Sequence, residues 1–311
     1  MSSKPAHLPK SRLQEGSIDL LRGVFYRVIS HLGVPARWFE PDLPSHQSVA
    51  AKTGYLNIEI VSHCWKYAHL LSLQLSSIVK YPPKKAGLTM TVFYSEEDQA
   101  TKTVLNYFGD ISVAGVTWNW VSLPRQSLFR RAIGRNYAAL NSEADWIWFT
   151  DCDVLFRNSC LDSLAEALAG RRDFLVYPKT EYCTELLSDG DPMLNQQDNE
   201  PGIVDINQDR FQPFARDRAT GPLQIVHGDV ARACGYCNAL GYYQEPASSW
   251  RKAYEDSAFR WLLRTEGTPI EIPGVYRIRH QNKGRYSGRA RVGFLRSRVR
   301  RLRSWLNYQV S

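Results

Sequence analysis

The sequence lacks long apolar runs and has few cysteines. No stretch approaches the ~18 apolar residues that a membrane-spanning helix needs, and residues 1–11 lack the apolar core of a secretory signal. Six cysteines in 311 residues are too sparse to indicate a disulfide scaffold. Cys234 and Cys237 have no second pair at zinc-site spacing. We therefore expect reduced thiols and a cytoplasmic protein.

Acidic residues are absent from the last forty positions. Residues 272–311 contain 11 Lys and Arg but no Asp or Glu, whereas the whole chain has 39 basic and 31 acidic residues. The remainder therefore holds 28 basic and 31 acidic residues, a net charge of −3. The overall excess of +8 does not mark the body of the protein as a binder of anionic polymers.

The sequence does contain a regular alternation of strand and helix patterns. Four segments have the period or the short apolar run of a β-strand, namely residues 55–61, 88–94, 116–123 and 146–150. Helical periodicity fills the gaps between them, at residues 65–79, 99–108 and 127–141. This order predicts an α/β fold with a mostly parallel sheet flanked by helices.

Three parts are predicted along the chain. Residues 1–50 form a leader and linker, in which apolar residues at helical spacing predict a helix. The α/β domain occupies residues 51–283. Within it, residues 184–222 are rich in Gly, Pro, Asn, Gln and Asp and are predicted to form a long functional loop or lid. Residues 284–311 form a basic tail.

Two carboxylates follow the fourth predicted strand. Asp151 and Asp153 come directly after the apolar segment 146–150, at the edge where open α/β sheets bind their ligands. Two aspartates with one residue between them suit a hard cation, which would in turn hold the phosphates of a substrate. Asp-x-Asp alone is a weak motif, but its position directly after a buried strand makes a role in ligand binding more specific.

The context of these aspartates resembles a known family. Residues 131–139 have the sequence Arg-Ala-Ile-Gly-Arg-Asn-Tyr-Ala-Ala, and residues 144–153 end in Trp-Ile-Trp-Phe-Thr-Asp-Cys-Asp. A helix with an Arg-Asn pair, followed by a hydrophobic strand that ends in Asp-x-Asp, is similar to the donor half of family-2-like glycosyltransferases. The resemblance covers residues 55–282. It implies the GT-A fold, like that of nucleotide-diphospho-sugar transferases, and a nucleotide-sugar donor, with a UDP-sugar expected.

The resemblance implies roles for four residues of the donor half. Asp153 would be a direct metal ligand, and Asp151 would contact the ribose, the donor sugar or a metal-bound water. Arg131 and Arg135 lie four residues apart, which places them on one face of a helix. Either arginine would meet the diphosphate or the sugar, the alternative being an arginine that faces solvent.

Nucleotide contacts are implied at the ends of the first two strands. Ser62 and His63 match the loop with which such enzymes hold the nucleotide. After the second strand, the family often has an acidic residue that contacts the base. Glu96, Glu97 and Asp98 are the candidates in this sequence, and we prefer Glu96.

The acceptor half resembles inverting members of the family. Glu255 and Asp256 begin a predicted helix, so Asp256 is expected to be the general base and Glu255 an acceptor ligand or reserve base. Ordinary first-turn acids, favoured by the helix dipole, are the alternative. Tyr254 departs from the family pattern, which often has Gly there. Gly228 would pass beneath the donor sugar, since glycine permits a close backbone approach, unless it is a plain turn glycine.

A late histidine completes the expected metal site. His280 lies 24 residues after Asp256 and resembles the histidine that completes the metal shell in metal-dependent members of the family. With Asp151 and Asp153 it gives the predicted set of metal ligands. Because imidazole suits Mn²⁺ better than Mg²⁺, Mn²⁺ is the expected cofactor.

Together these features predict an inverting, metal-dependent glycosyltransferase that acts on a hydroxyl of a glycan or lipid-linked acceptor. A retaining glycosyltransferase of the same fold is an alternative. A nucleotidyltransferase is disfavoured, because residues 61–65 lack the glycines that such enzymes carry after the first strand. A non-enzymatic membrane or nucleic-acid binding module would leave the placement of Asp151, Asp153, Asp256 and His280 unexplained.

The basic tail has the pattern of an amphipathic helix. Leu295, Val299, Leu302 and Leu306 follow helical spacing, and arginines fill much of the space between them. Such a helix is typical of an interfacial membrane anchor, so we expect a peripheral protein on the cytosolic membrane face. The alternative is a helix packed on the acidic body. Nucleic acid is not an expected partner, because the aromatic residues are few and one-sided.

Overall fold

The computed structural model describes residues 16–32, 34–40, 42–157, 159–188, 190–194, 201–249 and 253–281. The basic tail predicted at residues 284–311 lies outside them. Within the described part of the chain, no helix is both long and apolar enough to cross a membrane. All six cysteines are buried and have free thiols.

The centre of the fold is a sheet of seven strands. In spatial order they are β10 (Thr268–Ile270), β6 (Leu175–Pro178), β9 (Gln224–His227), β4 (Trp146–Phe149), β1 (Leu56–His63), β2 (Ala86–Tyr94) and β3 (Val116–Ser122). The strand β9 is antiparallel to β4 and β6, and the other neighbours are parallel. The predicted α/β fold with a mostly parallel sheet is confirmed.

Helices cover both faces of this sheet. They are α1 (Gly16–His31), α2 (Ala68–Lys80), α3 (Gln99–Gly109), α4 (Arg125–Leu128), α5 (Arg131–Asn141), α6 (Cys160–Leu168), α7 (Gly228–Cys234) and α8 (Glu255–Leu262). Trp146 and Trp148 pack into the core beneath α2, α3 and α6, while Ile147 and Phe149 pack into the second core beneath α5, α7 and α8. Because β4 is buried on both faces, its sequence is a continuous apolar run rather than an alternation.

A second, four-stranded sheet lies beside the first. Its order is β5 (Val154–Phe156), β11 (Val275–Arg277), β7 (Thr180–Thr184) and β8 (Phe211–Ala215). The amide of Ile278 donates to the main-chain oxygen of Asp153 at 2.9 Å. The segment just after the Asp-x-Asp motif is thereby aligned with the segment that leads to His280.

The helix of the leader is docked on the α/β domain through Tyr242. The ring of Tyr26 stacks on that of Tyr242 at 5.7 Å, and the guanidinium of Arg22 lies 5.1 Å from the same ring. Arg22 also donates to both carboxylate oxygens of Glu245, at 2.6 and 2.9 Å. The guanidinium of Arg130, which belongs to the α/β domain, also lies 4.3 Å from the Tyr242 ring.

Two predicted elements differ from the observed ones. The helix predicted over residues 127–141 is divided into α4 and α5, because Arg130 has φ −102° and ψ 85° and interrupts the helical backbone. The long loop predicted over residues 184–222 contains β8, which pairs antiparallel with β7. Part of this loop is therefore built into the second sheet.

Candidate active site

Three strands end side by side at one edge of the large sheet. The strand β1 ends at His63, β2 at Tyr94 and β4 at Phe149, and the three pair in parallel. Asp151 follows β4 and therefore extends from the same edge. This is the edge at which α/β sheets bind their ligands.

Arg131 joins two carboxylates that are distant in sequence. Its Nη1 donates to Oδ1 of Asp151 at 2.6 Å, and its Nη2 and Nε lie 2.9 and 3.1 Å from Oε1 of Glu255. Arg131 is the first residue of α5 and Glu255 the first of α8. The structure thus brings three of the predicted site residues together where two helices begin beside the end of β4.

Arg135 lies beneath this pair and is fully buried. Its Nη1 donates to the hydroxyl of Tyr236 at 2.8 Å, and its Nη2 lies 3.3 Å from the main-chain oxygen of Thr150 and 3.4 Å from Oδ1 of Asp151. The Tyr236 hydroxyl donates in turn to Gln224 at 2.7 Å. Arg135 therefore supports the Asp151 carboxylate from inside the protein.

The charges of this cluster balance. Burial raises the pKa of the Glu255 carboxyl, but the charges of Arg131 and Arg135 outweigh that effect and hold the pKa below its ordinary value. Glu255 is therefore ionised at neutral pH. Two arginines thus face two carboxylates, Asp151 and Glu255, and a third anion can enter only by sharing the arginines with them.

Asp256 has different surroundings from its neighbour Glu255. The side chain of Asp256 is 33% exposed, whereas that of Glu255 is 6% exposed. The Nη1 of Arg260 lies 3.8 Å from Oδ2 of Asp256. A general base must lie within hydrogen-bond distance of the hydroxyl whose proton it removes. Of the two acids, Asp256 is the one that an incoming hydroxyl can reach.

His63 is buried beside the charged cluster. Its ring stacks on Phe93 at 5.0 Å, and neither ring nitrogen has a hydrogen-bond partner in the described structure. The absence of a side chain at Gly134 makes room for it, since a Cβ there would lie 2.3 Å from Nε2. Burial and the charges of Arg135 and Arg131 hold the pKa of His63 well below its ordinary value. The imidazole is therefore neutral.

Ser62 supports the site from the opposite face of the sheet. Its side chain is fully buried, and its hydroxyl donates to Oε1 of Gln74 at 2.7 Å. The amide of Gln74 donates to the main-chain oxygens of Asp151 and Val154 at 3.0 and 2.8 Å. The predicted contact of Ser62 with the nucleotide is not available in this structure, because the hydroxyl is committed to Gln74. Ser62 instead positions the loop that carries Asp151.

Asp153 and His280 are both buried, at 4% and 3% exposure. The ring of His280 packs against that of Tyr67 at 5.3 Å. A carboxylate and an imidazole are donors that suit Mn²⁺, so these two fit the expected ion by type. Asp151 fits less well, because its carboxylate is engaged by two arginines. Over the described ranges, no group of three or more His, Cys, Asp or Glu side chains is arranged to hold a metal ion.

Glu96 follows β2 and is exposed at the surface. Its carboxylate accepts a hydrogen bond from the Tyr94 hydroxyl and pairs with Lys102, each at 2.7 Å. Asp98 is buried, and its carboxylate accepts from the amide of Lys66 at 2.5 Å and caps α3. Of the acids after β2, Glu96 is thus at the carboxyl edge of the sheet, while Asp98 holds the fold together.

Gly228 lies at the other end of β4. Because β9 runs antiparallel to β4, the amide of Gly228 donates to the main-chain oxygen of Asp145, ahead of β4, at 2.7 Å. A Cβ at Gly228 would lie 2.1 Å from the main-chain oxygen of Ala144. The close approach that this glycine permits is to the protein's own backbone, which contradicts its predicted place beneath the donor sugar.

Three residues that the sequence pattern does not assign to the site support it. Gln74 holds the Asp151 loop, Tyr236 contacts Arg135, and the amide of Gln224 donates to the main-chain oxygen of Asp256 at 3.2 Å. A glutamine among the leucines of the buried side of α2 is a usable signal for Gln74. The local sequence carries no comparable signal for Tyr236 or Gln224.

The chain gives no match to models of known protein families or to curated protein sequences. Among solved structures, it is similar to the mannosyltransferase PcManGT from Pyrobaculum calidifontis in complex with GDP-Man and Mn²⁺, with 16% identity and a TM-score of 0.41 over 87% of this chain and 70% of that chain. It is also similar to S. aureus TarS 1–349, with 13% identity and a TM-score of 0.42 over 72% of this chain and 60% of that chain. These values are too low for either likeness to bear on function.

Proposed function

We propose that this protein is a metal-dependent glycosyltransferase that moves a sugar from a nucleoside diphosphate sugar to a hydroxyl of a glycan or lipid-linked acceptor. The observation that carries the proposal is the bridge that Arg131 makes between Asp151 and Glu255. It connects the end of the strand where a nucleotide would bind to the helix that begins with Glu255 and Asp256. A UDP-sugar is the donor to test first.

The donor diphosphate is expected at the beginning of α5. The N-terminus of a helix favours anions through its free amides and its dipole, and Arg131 is the first residue of this 11-residue helix. The phosphate oxygens would share Arg131 with Asp151, while Arg135 keeps Asp151 in place from below. The imidazole of His63 is buried at the same edge and, being neutral, adds no charge beside the two arginines.

The expected ion would be held by Asp153 and His280, and phosphate oxygens of the nucleotide sugar would complete its coordination shell. When bound, a divalent cation of this kind supplies positive charge that stabilises a leaving diphosphate. Both side chains are buried, and the amide of Ile278, two residues before His280, donates to the main-chain oxygen of Asp153, which supports their assignment to one site. Asp151 is expected to contact the ribose or a metal-bound water through its remaining lone pairs.

Asp256 is assigned as the general base. An alcohol is a poor nucleophile, so its proton must leave as the new bond forms. The Asp256 carboxylate takes this proton while the acceptor oxygen bonds to the anomeric carbon, and the bond between that carbon and the diphosphate breaks, with the electron pair leaving on the diphosphate. Attack from the side opposite the leaving group inverts the anomeric configuration. Glu255, buried and held ionised by Arg131, fixes the beginning of α8 beside the end of β4 rather than contacting the acceptor as the sequence pattern predicts.

The proposal is tested with a panel of nucleotide sugars in the presence of Mn²⁺. A shift in melting temperature identifies the nucleotide sugar that binds. Hydrolysis of that nucleotide sugar and transfer of its sugar to an acceptor are then measured. NMR of the product gives the anomeric configuration. A panel in which no nucleotide sugar raises the melting temperature would count against the proposed function. Retention of configuration would overturn the role of Asp256 but not sugar transfer itself.

The variant Asp256→Asn distinguishes a role of Asp256 in catalysis from a role in donor binding. It is expected to abolish transfer and to leave the thermal shift produced by the donor unchanged. Asp162→Asn is the matched control, because Asp162 also lies in the first turn of a helix, α6, away from the cluster at Arg131. Transfer by Asp256→Asn at the rate of the control would sink the assignment.

A further inference from the structure

The leader helix carries an exposed apolar surface. Among the described residues, eleven large apolar side chains are exposed, and six of them lie within residues 21–38. The six are Leu21, Val24, Phe25, Val28, Leu32 and Trp38. Three of them, Leu21, Leu32 and Trp38, are 67%, 73% and 70% exposed. Apolar residues exposed singly are ordinary, but a contiguous patch of them marks an interaction surface.

The exposed residues of α1 form a single stripe. Leu21, Val24, Phe25, Val28 and Leu32 follow one another by three, one, three and four positions. At the helical period of 3.6 residues they fall within an arc of about 100°. We call these five residues, together with Trp38, the outer face of the leader.

The opposite side of α1 is already used. Tyr26 and Arg22 contact Tyr242, Ile29 is buried, and a Cβ at Gly23 would lie 2.8 Å from the Tyr242 hydroxyl. The helix therefore has an inner apolar side that faces the α/β domain and a second apolar side that faces away from it. A contiguous apolar stripe left exposed on a helix whose other side is already packed indicates an occupant of its own.

The charges around the outer face indicate an anionic occupant. Residues 20–39, between Asp19 and Glu40, contain no Asp or Glu. Arg22 of this segment is paired with Glu245 on the inner side, which leaves Arg37 as the cation that the structure places beside the outer face. Arg37 is exposed and precedes the exposed Trp38. Apolar residues with an aromatic ring and flanking arginines are the composition of a helix that lies in a membrane interface. Such cations gain energy from anionic lipid headgroups.

We propose that the outer face of the leader binds the surface of an anionic membrane, with Leu21, Phe25 and Leu32 entering the boundary between headgroups and acyl chains. A second copy of the chain fits less well. A two-fold axis would place the same basic segment of both copies side by side, with like charges opposed. The proposal is independent of sugar transfer and differs from an anchor in residues 284–311.

The placement has a consequence for the acceptor. The helix α1 packs against α8, and α8 begins with Glu255 and Asp256. A membrane bound by the outer face would therefore lie across α1 from the helix that carries the proposed base, at a distance of one helix diameter, roughly 10 Å. This arrangement suits an acceptor presented at a lipid surface.

The test is cosedimentation of the full chain with vesicles made of equal amounts of phosphatidylglycerol and phosphatidylcholine, at low and at high salt. Leu21→Ser with Phe25→Ser is expected to weaken binding at least about tenfold, because two apolar side chains no longer enter the lipid. The control is Leu140→Ser with Ile203→Ser, which removes two exposed apolar side chains elsewhere. Its binding should equal that of the wild type. The melting temperature of each variant shows whether it is folded. The single variant Leu32→Ser tests the same surface with a smaller change, in case the double variant does not fold.

High salt separates the outer face from the basic tail. Salt screens attraction by arginines, whereas insertion of apolar side chains persists, so the difference between the two double variants should remain at high salt. Equal binding by both double variants would overturn the proposal and favour the tail. Absence of wild-type binding to these vesicles would also overturn it, as would a concentration-dependent dimer that the leader variant abolishes without any vesicle binding.

Discussion

The guanidinium of Arg131 lies 2.6 Å from the carboxylate of Asp151. The same guanidinium holds Glu255 at 2.9 Å, so one arginine neutralises acids from two halves of the chain. A half-buried arginine that donates to two carboxylates fixes the distance between the helices and the loop that carry them, and, against the effect of burial, its charge helps to hold the pKa of Glu255 below its ordinary value.

Replacing Arg131 is expected to cost both stability and donor binding. In Arg131→Gln, Glu255 remains buried without its principal cation, and the free energy of unfolding should fall by about 3 kcal/mol. Denaturant titration measures this loss. Arg125→Gln is the matched control, because Arg125 forms an exposed pair with Glu97, and such pairs contribute at most about 1 kcal/mol. Equal losses in the two variants would contradict the bridging role.

His63 is expected to make the protein sensitive to mild acid. Burial first, and then Arg135 and Arg131, depress the pKa of the folded-state imidazole, so only the unfolded chain takes up this proton as the pH falls below about 6.5. Stability is full above that pH and declines below it by about 1.4 kcal/mol per pH unit, until the folded-state pKa is reached.

The variant His63→Gln should remove the part of the pH dependence of the free energy of unfolding that comes from this imidazole. Free energies of unfolding measured between pH 7 and pH 5 test it. The exposed His46 supplies the control, and His46→Gln should keep the wild-type slope. An unchanged slope in His63→Gln would show that the imidazole can be protonated in the folded protein.

Neutralising Glu255 should strengthen the binding of a free nucleoside diphosphate. The cluster of Arg131, Arg135, Asp151 and Glu255 has no net charge, and Glu255→Gln leaves it with one positive charge. The dissociation constant, measured by calorimetry without metal, should fall about three- to tenfold. Glu166→Gln, at an exposed pair with Lys85, should have no effect. Weaker binding by Glu255→Gln would mean that Glu255 itself holds the ligand.

Gly228→Ala should harm folding rather than donor recognition. The added Cβ would lie 2.1 Å from the main-chain oxygen of Ala144, and backbone cannot yield as a side chain can, so we expect a loss of about 2 kcal/mol or more. Gly241→Ala is the control, since no atom lies within 4 Å of a Cβ there. A folded, stable Gly228→Ala protein with impaired donor binding would restore the role beneath the sugar.

The sequence predicts the local elements well and their long-range partners poorly. The apolar run before Asp151 correctly places that residue at the carboxyl edge of a parallel sheet. The contact of Arg131 with Glu255 spans 124 positions, and no local pattern encodes it. The prediction for Gly228 is wrong for a similar reason, because the sequence of the four-residue strand before it, Gln224–His227, does not show whether that strand runs parallel or antiparallel to β4.

Burial also changes what a predicted residue can do. Ser62 and His63 are adjacent in sequence, yet β1 alternates, so the serine turns to Gln74 beneath the sheet while the histidine stacks on Phe93. The division of residues 127–141 at Arg130 likewise depends on tertiary contacts. There the chain leaves the helical path and brings Arg130 against Tyr242, which helical periodicity alone does not indicate.

The ring of Tyr242 contacts Arg22 of the leader helix and Arg130, the residue next to Arg131. The proposed diphosphate site and the proposed membrane-binding leader therefore lie on either side of one packed side chain, Tyr242. Linkage between two binding sites is reciprocal. The factor by which a nucleotide changes the affinity of the leader for a membrane must equal the factor by which the membrane changes the affinity for the nucleotide.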